Sequence, residues 1–227
     1  MTAFSNTIVI GATGGIGSAM AEVLEDRGAA VTRLARSTDP AIDVTDEAAI
    51  EAAAEAVRDG GPYDLIFVAT GALAPDDRGP EKALSQLHPQ RLSDLIALNA
   101  IGPALVAKHF HGLLPRDDRG VLAALSARVG SIGDNGLGGW YGYRASKAAL
   151  NQFWRGAAIE IGRKRKQTVV LALHPGTVET RLSAGFTDGR DTFTPEQCTL
   201  KLLDVMEAAT PEMSGGFFDH AGKTIPW

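Results

Sequence analysis

Short apolar runs alternate along the chain with longer segments in which apolar side chains recur at helical spacing. The continuous runs predict buried strands, and the segments between them predict helices. The predicted strands are residues 7–10, 30–34, 41–44, 64–69, 120–125, 168–173 and 216–219. The predicted helices are residues 16–27, 46–58, 91–114, 141–163 and 195–208, with Thr45 as the expected N-cap of the second.

This order of elements indicates the fold class. Continuous apolar strands that are separated by helices of ten or more residues are typical of a parallel sheet with helices on both faces. We therefore predict an α/β, doubly wound parallel sheet in a single domain that spans residues 1–227. Ligands of such sheets bind beyond the carboxyl ends of the strands, so the functional residues are expected directly after the strands.

Composition and charge narrow the possible partners. The net charge of −5 and the pI near 5.5 argue against a nucleic-acid partner, because phosphate binding needs clustered lysine and arginine. Cys198 is the single cysteine, so an internal disulfide and a cysteine-based metal site are excluded, and no metal is expected. The lack of a bilayer-length apolar run, and of a signal-peptide pattern in residues 1–6, predicts a cytoplasmic protein without a membrane partner.

A glycine-rich turn follows the first predicted strand and opens the first helix, with the sequence Gly11-Ala12-Thr13-Gly14-Gly15-Ile16-Gly17. Glycines at these positions permit a tight turn and let the backbone approach a pyrophosphate, which the N–H groups and dipole of a helix N-terminus favour. The turn predicts a dinucleotide site, and the alternative is a plain strand–helix connection. The residues expected to contact the cofactor here are Gly11, Thr13, Gly14, Gly15, Ile16 and Gly17.

The end of the second predicted strand bears on the choice of cofactor. A binder of unphosphorylated dinucleotide usually places an acid here for the ribose hydroxyls, but this chain has Ala35 followed by Arg36. Because arginine forms charge-assisted hydrogen bonds with a 2′-phosphate, NADP is the expected cofactor, with NAD as a possibility. Asp43 and Val44, which end the next predicted strand, are expected at the adenine edge. The alternatives are a surface arginine and an acidic loop residue.

A tyrosine and a lysine lie four residues apart at the start of a long predicted helix, in Tyr143-Arg144-Ala145-Ser146-Lys147. Side chains at this spacing share one helix face, so Lys147 is expected beside Tyr143. A nearby ammonium stabilises the phenolate and would lower the tyrosine pKa from its ordinary value near ~10. The pair could then move a proton to or from a carbonyl or alcohol oxygen. Without the glycine turn upstream, the same pattern would indicate only surface residues of a helix.

Three further features follow one another along the chain. Residues 68–71 end a predicted strand, Asn99 lies in a predicted helix, and residues 174–180 begin at the end of a later predicted strand. With the glycine turn and the tyrosine–lysine pair, they resemble the short-chain dehydrogenase/reductase superfamily of the single-domain type. The segment 126–151 looks most like its C-factor/sniffer-type carbonyl reductase branch. The resemblance implies a Rossmann-type fold and catalytic roles for Asn99, Tyr143 and Lys147. The other cofactor contacts that it implies are Ala69, Thr70, Gly71, Tyr143, Lys147, Pro175, Gly176, Val178 and Thr180.

The chain departs from this family at the catalytic serine. That serine usually lies three residues before a glycine, and counting back from Gly130 leads to Ala127. Ser126 is our preferred candidate for the hydroxyl that polarises the carbonyl. Ser131 is the alternative, and a site in which neither serine has this role stays open.

Two functions are compatible with these residues. The first is a nicotinamide-dependent oxidoreductase that interconverts a carbonyl and an alcohol by hydride transfer, with Tyr143 as acid and base. The second is a dinucleotide-binding signalling or sensor protein of the C-factor type with little catalysis. The expected partners are a small carbonyl or alcohol substrate and further copies of the chain, in a dimer or tetramer. The substrate pocket is expected between residues 131–140 and residues 181–194.

Overall fold

One parallel sheet forms the centre of the protein. The computed structural model describes residues 3–181, 183 and 191–227. Its strands are β1 (Asn6–Ile10), β2 (Ala30–Leu34), β3 (Leu65–Val68), β4 (Gly120–Leu125), β5 (Thr168–His174) and β6 (Gly216–Asp219). They pair in the order β2-β1-β3-β4-β5-β6, and every pair is parallel. The predicted α/β doubly wound sheet is therefore confirmed.

The helices cover both faces of this sheet. They are α1 (Gly15–Asp26), α2 (Glu47–Ala56), α3 (Pro89–Ile96), α4 (Gly102–Phe110), α5 (Tyr141–Lys164) and α6 (Pro195–Ala208). Alternate residues of β1 point to opposite faces, so Ile8 and Ile10 join a core with residues of α2, α4 and α5. Val9 joins the other core, with residues of α1 and α6. No helix in the described part of the chain is both long enough and apolar enough to cross a bilayer.

Two local predictions are wrong. The short strand expected at residues 41–44 is reduced to a single bridge between Ala35 and Ala41, because the chain turns away at once into α2. The N-cap of α2 is Asp46, whose carboxylate accepts the Ala48 N–H at 3.0 Å. Thr45 lies one residue before this cap, and its hydroxyl donates to the Asp43 carboxylate at 2.7 Å.

The helix predicted over residues 91–114 is divided in the structure. Between α3 and α4 the chain forms a π-helical turn at Ala97–Ile101. Turns of this kind insert an extra residue into a helix and occur frequently at functional sites. Here the turn contains Asn99, whose side chain is completely buried.

The strand order places the site. The chain proceeds from β1 outward to β2 and then crosses back to β3 on the other side of β1. The switch in direction therefore lies between β1 and β3, and ligands of such sheets bind there, beyond the carboxyl ends of the strands. The glycine turn, residues 69–71 and the segment after β4 all lie at this edge.

Candidate active site

The glycine turn is closely packed against the end of β3. Gly11 has a φ of +86°, and a Cβ there would lie 3.0 Å from the carbonyl carbon of Ala69 and 3.2 Å from Thr70 Cγ2. A Cβ at Gly17 would overlap the carbonyl oxygen of Gly11. These close approaches explain why glycine occupies both positions, and they bring the predicted cofactor residues of β1 and β3 together.

The start of α1 is suited to an anion. Its N-cap is Gly14, which has no side chain to accept the first amide protons of the helix. Those N–H groups and the positive end of the helix dipole therefore remain for an external anion such as a pyrophosphate. The residues at this turn fit the dinucleotide that the sequence predicts.

The segment after β5 forms the other side of this site. A Cβ at Gly15 would lie 2.7 Å from Thr180 Cγ2, so the glycine turn and this segment are in contact. Pro175, Gly176 and Val178 lie earlier in the same segment. Beside Gly11, the hydroxyl of Thr70 is buried and has no hydrogen-bond partner among the described residues. Most of the expected pocket loop at residues 181–194 lies outside the described residues.

Arg36 and Asp43 come close to each other beyond the end of β2. Arg36 is exposed. Two hydrogen bonds from Thr45 and the charge of Arg36 hold the pKa of Asp43 below its usual value. Val44 packs tightly under α4, because a Cβ at Gly102 would overlap the Val44 carbonyl oxygen. Arg36 presents an exposed positive charge beyond the end of β2.

Tyr143 and Lys147 share one face of α5, as predicted from their spacing. Both side chains are buried, and the ammonium lies 6.0 Å from the centre of the tyrosine ring. Lys147 Nζ donates to the carbonyl oxygen of Leu125, the last residue of β4, at 2.8 Å. That bond directs the ammonium toward the carboxyl end of the sheet, where the glycine turn also lies.

Burial dominates the titration of both groups. It raises the pKa of Tyr143 to about 12 and lowers the pKa of Lys147 to about 8. The expected lowering of the Tyr143 pKa by the lysine is therefore wrong, because removal of the phenolate from water outweighs an ammonium at this distance. Tyr143 is protonated at neutral pH, so it is ready to donate a proton rather than to accept one.

Asn99 binds the loop after β3. Its Oδ1 accepts the Ala72 N–H and its Nδ2 donates to the Ala72 carbonyl, both at 2.8 Å. The same Nδ2 donates to Ser146 Oγ at 3.0 Å. A Cβ at Gly71 would lie 3.1 Å from Asn99 Oδ1 and 3.3 Å from Lys147 Nζ. The structure thus brings Asn99, Gly71 and Lys147 together.

The two serines of the segment after β4 each have a hydrogen-bond partner of their own. Ser126 Oγ donates its only proton to Asn151 Oδ1 at 2.6 Å. Ser131 Oγ accepts the N–H of Asp134 at 3.1 Å and so stabilises a turn. The residue that packs with Tyr143 is Ala127, together with Leu73 and Val129. This arrangement does not favour Ser126 as the group that polarises a carbonyl.

Three apolar neighbours of the tyrosine were not predicted as site residues from the sequence. Leu73 and Val129 pack with Tyr143 but belong to no motif that could have indicated them. Ala127 did carry a signal, since the count back from Gly130 led to it, yet a serine was expected there. Among the described residues no cluster of histidine, cysteine and carboxylate side chains could hold a metal ion.

Comparisons with known proteins agree with this geometry. The family model described as Enoyl-(Acyl carrier protein) reductase matches residues 11–204. The 1-hydroxy-2-glutathionyl-2-methyl-3-butene dehydrogenase of Rhodococcus sp. (strain AD45) is 31% identical over 98% of this chain and 100% of its own length. The C-signal protein of Myxococcus xanthus is 32% identical over 74% of this chain and 94% of its own length.

A solved structure shows the same fold. It is a short-chain dehydrogenase/reductase from Burkholderia multivorans with bound NADP, with a TM-score of 0.83 and 28% identity. The match covers 99% of this chain and 100% of that one. A glycine turn at the strand switch, a buried tyrosine–lysine pair and a family match over most of the chain lead to one conclusion: this protein belongs to the short-chain dehydrogenase/reductase superfamily.

Proposed function

We propose that this protein is an NADP(H)-dependent oxidoreductase that reduces a carbonyl compound to an alcohol, and catalyses the reverse reaction. The single observation that carries the proposal is the burial of Tyr143 and Lys147 on one face of α5, at the same edge of the sheet as the glycine turn. NADP bound to the Burkholderia multivorans relative supports the choice of cofactor.

The chemistry divides between the cofactor and the chain. The reduced nicotinamide supplies a hydride to the carbonyl carbon. Tyr143 donates its proton to the carbonyl oxygen, which completes the alcohol. The Lys147 ammonium, which donates to the Leu125 carbonyl, would bind a ribose hydroxyl of the cofactor and return a proton to the tyrosine. Because burial keeps Tyr143 protonated, with a pKa of about 12, the tyrosine is in the protonation state that carbonyl reduction requires.

Turnover of a panel of small aldehydes and ketones with NADPH tests this function. We expect the absorbance of the reduced nicotinamide to fall in proportion to alcohol formed. Similarity to C-signal makes a dinucleotide-binding signalling protein the second candidate. Tight dinucleotide binding without turnover of any carbonyl would favour that candidate and contradict the enzyme.

We also propose that Ala127 stands where related enzymes carry a catalytic serine, because it is the residue packed against Tyr143. The carbonyl oxygen would then accept its hydrogen bond from Tyr143 alone. Ala127→Ser should restore a second donor and raise kcat about tenfold or more, by analogy with oxyanion-site donors. Ser126→Ala serves as the matched control and should change kcat little. A loss of about 10²-fold in Ser126→Ala would instead identify Ser126 as the polarising residue.

Arg36 is proposed to bind the adenosine phosphate of NADPH. A charge-assisted hydrogen bond contributes roughly 1.5–3 kcal/mol. Arg36→Ala should therefore weaken NADPH binding about tenfold to a hundredfold and leave NADH binding nearly unchanged. Dissociation constants for both cofactors, measured by fluorescence titration, check this. Arg58→Ala removes an exposed arginine that follows α2, and it should change the dissociation constant of neither cofactor. A native preference for NADH would contradict the role of Arg36.

A homo-oligomer is proposed through the face of α4 and α5. A groove of about 1170 Å³ lies between these helices, and Phe153 is 45% exposed beside it. Its lining includes the acidic side chain of Glu160 and the basic side chains of Lys108 and Arg163. A second copy related by a two-fold axis would place the acid of each copy near the bases of the other. Light scattering measures the resulting mass against 23.8 kDa for one copy.

The cytoplasm is the proposed location. The one cysteine, Cys198, is buried, and burial raises the pKa of its thiol to about 12, which suits a protein that keeps its thiol reduced.

A further inference from the structure

Trp140 adopts a backbone conformation that is unfavourable for its residue type. It precedes α5 with φ 50° and ψ 41°, and it is the one non-glycine with a positive φ in the described ranges. The left-handed conformation costs a residue with a Cβ about 1–2 kcal/mol. Gly138 and Gly139 precede it in the same conformation at no such cost. A third glycine would remove the strain, so the presence of tryptophan points to a role for its side chain.

Glu81 holds Trp140 in this conformation. The main-chain carbonyl of Glu81 accepts the Trp140 N–H at 2.5 Å. Its carboxylate accepts the N–H of Gly142, in the first turn of α5, at 3.0 Å. The Glu81 side chain is only 1% exposed, and Arg91 Nε lies 3.9 Å from its Oε1. Both hydrogen bonds bind the loop after β3 to the start of the helix that carries the catalytic tyrosine.

Arg91 anchors this loop in turn. Its guanidinium donates to the Gly79 carbonyl at 2.5 Å and lies 3.2 Å from the Asp76 carboxylate. The Arg91 side chain is 8% exposed, so its guanidinium is largely removed from water. The position of Trp140 is thereby determined by a loop that lies about 60 residues earlier in the chain.

The indole ring packs next to the proposed proton donor. The rings of Trp140 and Tyr143 are 6.3 Å apart, centre to centre, at an angle of 62°. Leu73, Ala127 and Val129 belong to the same apolar cluster. Because this cluster surrounds the tyrosine ring, a carbonyl compound that bound at the Tyr143 hydroxyl would have a substituent within reach of it. Aromatic rings favour edge-to-face contact of the kind that Trp140 offers.

We propose that Trp140 is a specificity-determining residue that selects carbonyl substrates bearing a flat, apolar ring beside the carbonyl, and that Glu81 is the positioning residue that holds it in place. This inference rests on the proposed carbonyl reduction at Tyr143. It adds to that function a class of substrate, namely aryl carbonyl compounds in preference to short aliphatic ones.

The test compares benzaldehyde with propanal as substrates of the NADPH-loaded enzyme. Trp140→Ala should raise the ratio of KM for benzaldehyde to KM for propanal about tenfold. Trp140→Phe should keep most of the preference. Trp227→Ala removes another half-exposed tryptophan, one that stacks on Phe217, and serves as the control with no change in the ratio. Equal effects of Trp140→Ala on both aldehydes, or no effect on either, would overturn the proposal.

A second pair of variants tests the positioning role. Glu81→Ala removes the acceptor for the Gly142 N–H. It should shift the ratio of KM for benzaldehyde to KM for propanal toward the ratio expected for Trp140→Ala. Glu81→Gln keeps an acceptor oxygen and should restore the preference. If Glu81 had only a structural role, Glu81→Ala would lower the turnover of both aldehydes together. A ratio that Glu81→Gln does not restore would also contradict the positioning role.

Binding of unreactive amides separates this inference from the proposed function. Calorimetry with NADPH present compares benzamide with propanamide, neither of which needs to be reduced. Benzamide should bind at least tenfold more weakly to Trp140→Ala than to the native protein, with propanamide unchanged. If the native protein reduces no aldehyde, the proposed function fails, and the amide ratio still decides whether Trp140 forms an aromatic wall.

Discussion

Tyr143→Phe is expected to retain the fold and the affinity for NADPH but to lower kcat for carbonyl reduction by about 10²–10⁴-fold, the usual contribution of a general acid. The substitution removes only the hydroxyl, and the ring keeps its packing with Ala127, Leu73 and Trp140. Because the raised pKa of Tyr143, about 12, keeps the proton on the phenol, the hydroxyl is lost as a donor and not as a charge. Steady-state kinetics and a fluorescence titration of NADPH measure the two effects separately.

Tyr63→Phe is the matched control. That hydroxyl is also buried, but it donates to the Val57 carbonyl at 2.7 Å, away from the site. We expect it to lower stability by about 1 kcal/mol, as loss of a buried hydrogen bond does, and to leave kcat unchanged. Near-native turnover in Tyr143→Phe would eliminate the proposed mechanism.

The second large effect is expected at Lys147 and depends on pH. Burial lowers its pKa to about 8, so the ammonium predominates below that pH and is lost above it. If the ammonium binds the cofactor ribose and returns the proton to Tyr143, kcat/KM for reduction should be level below pH 8. Above pH 8 it should fall about tenfold per pH unit, because the fraction of Lys147 that carries the ammonium falls tenfold with each unit.

Lys147→Met fills a similar volume without a charge. It should lower kcat/KM by about 10²-fold or more at neutral pH and abolish the decline above pH 8. Lys164→Met removes a lysine from the far end of α5 and should leave the pH profile unchanged. A decline near pH 8 that persists in Lys147→Met would assign the titration to another group.

The local features of this site were accessible from sequence because short stretches of chain encode them. The glycine turn lies between an apolar strand and a helix, and its glycines are required by contacts with immediate neighbours and with β3. The four-residue spacing of Tyr143 and Lys147 places them on one helix face wherever that helix packs. Resemblance to the superfamily added Asn99, which the structure does bring to Gly71 and Lys147.

Features that depend on distant segments were predicted less well. Whether residues 41–44 form a strand depends on a neighbouring strand, and only Ala35 pairs with that segment. The helix is interrupted at Ala97–Ile101, where Asn99 forms hydrogen bonds with Ala72. The helical spacing of apolar residues in one segment does not reveal such contacts with another segment. The pKa of Tyr143 depends on how completely the packed fold excludes water, so its direction was predicted wrongly.

The sequence by itself determined the parallel α/β sheet, the glycine turn after its first strand and the shared helix face of the tyrosine–lysine pair, because hydrophobic period and residue spacing are local properties of the chain. Only the tertiary structure decided what surrounds that pair. Ser126 and Ala127 are adjacent in sequence, yet the first hydroxyl turns to Asn151 while the second side chain packs against Tyr143. Glu81 reaches Gly142 across the fold, and the energy of such contacts depends on burial and geometry that no spacing along the chain encodes.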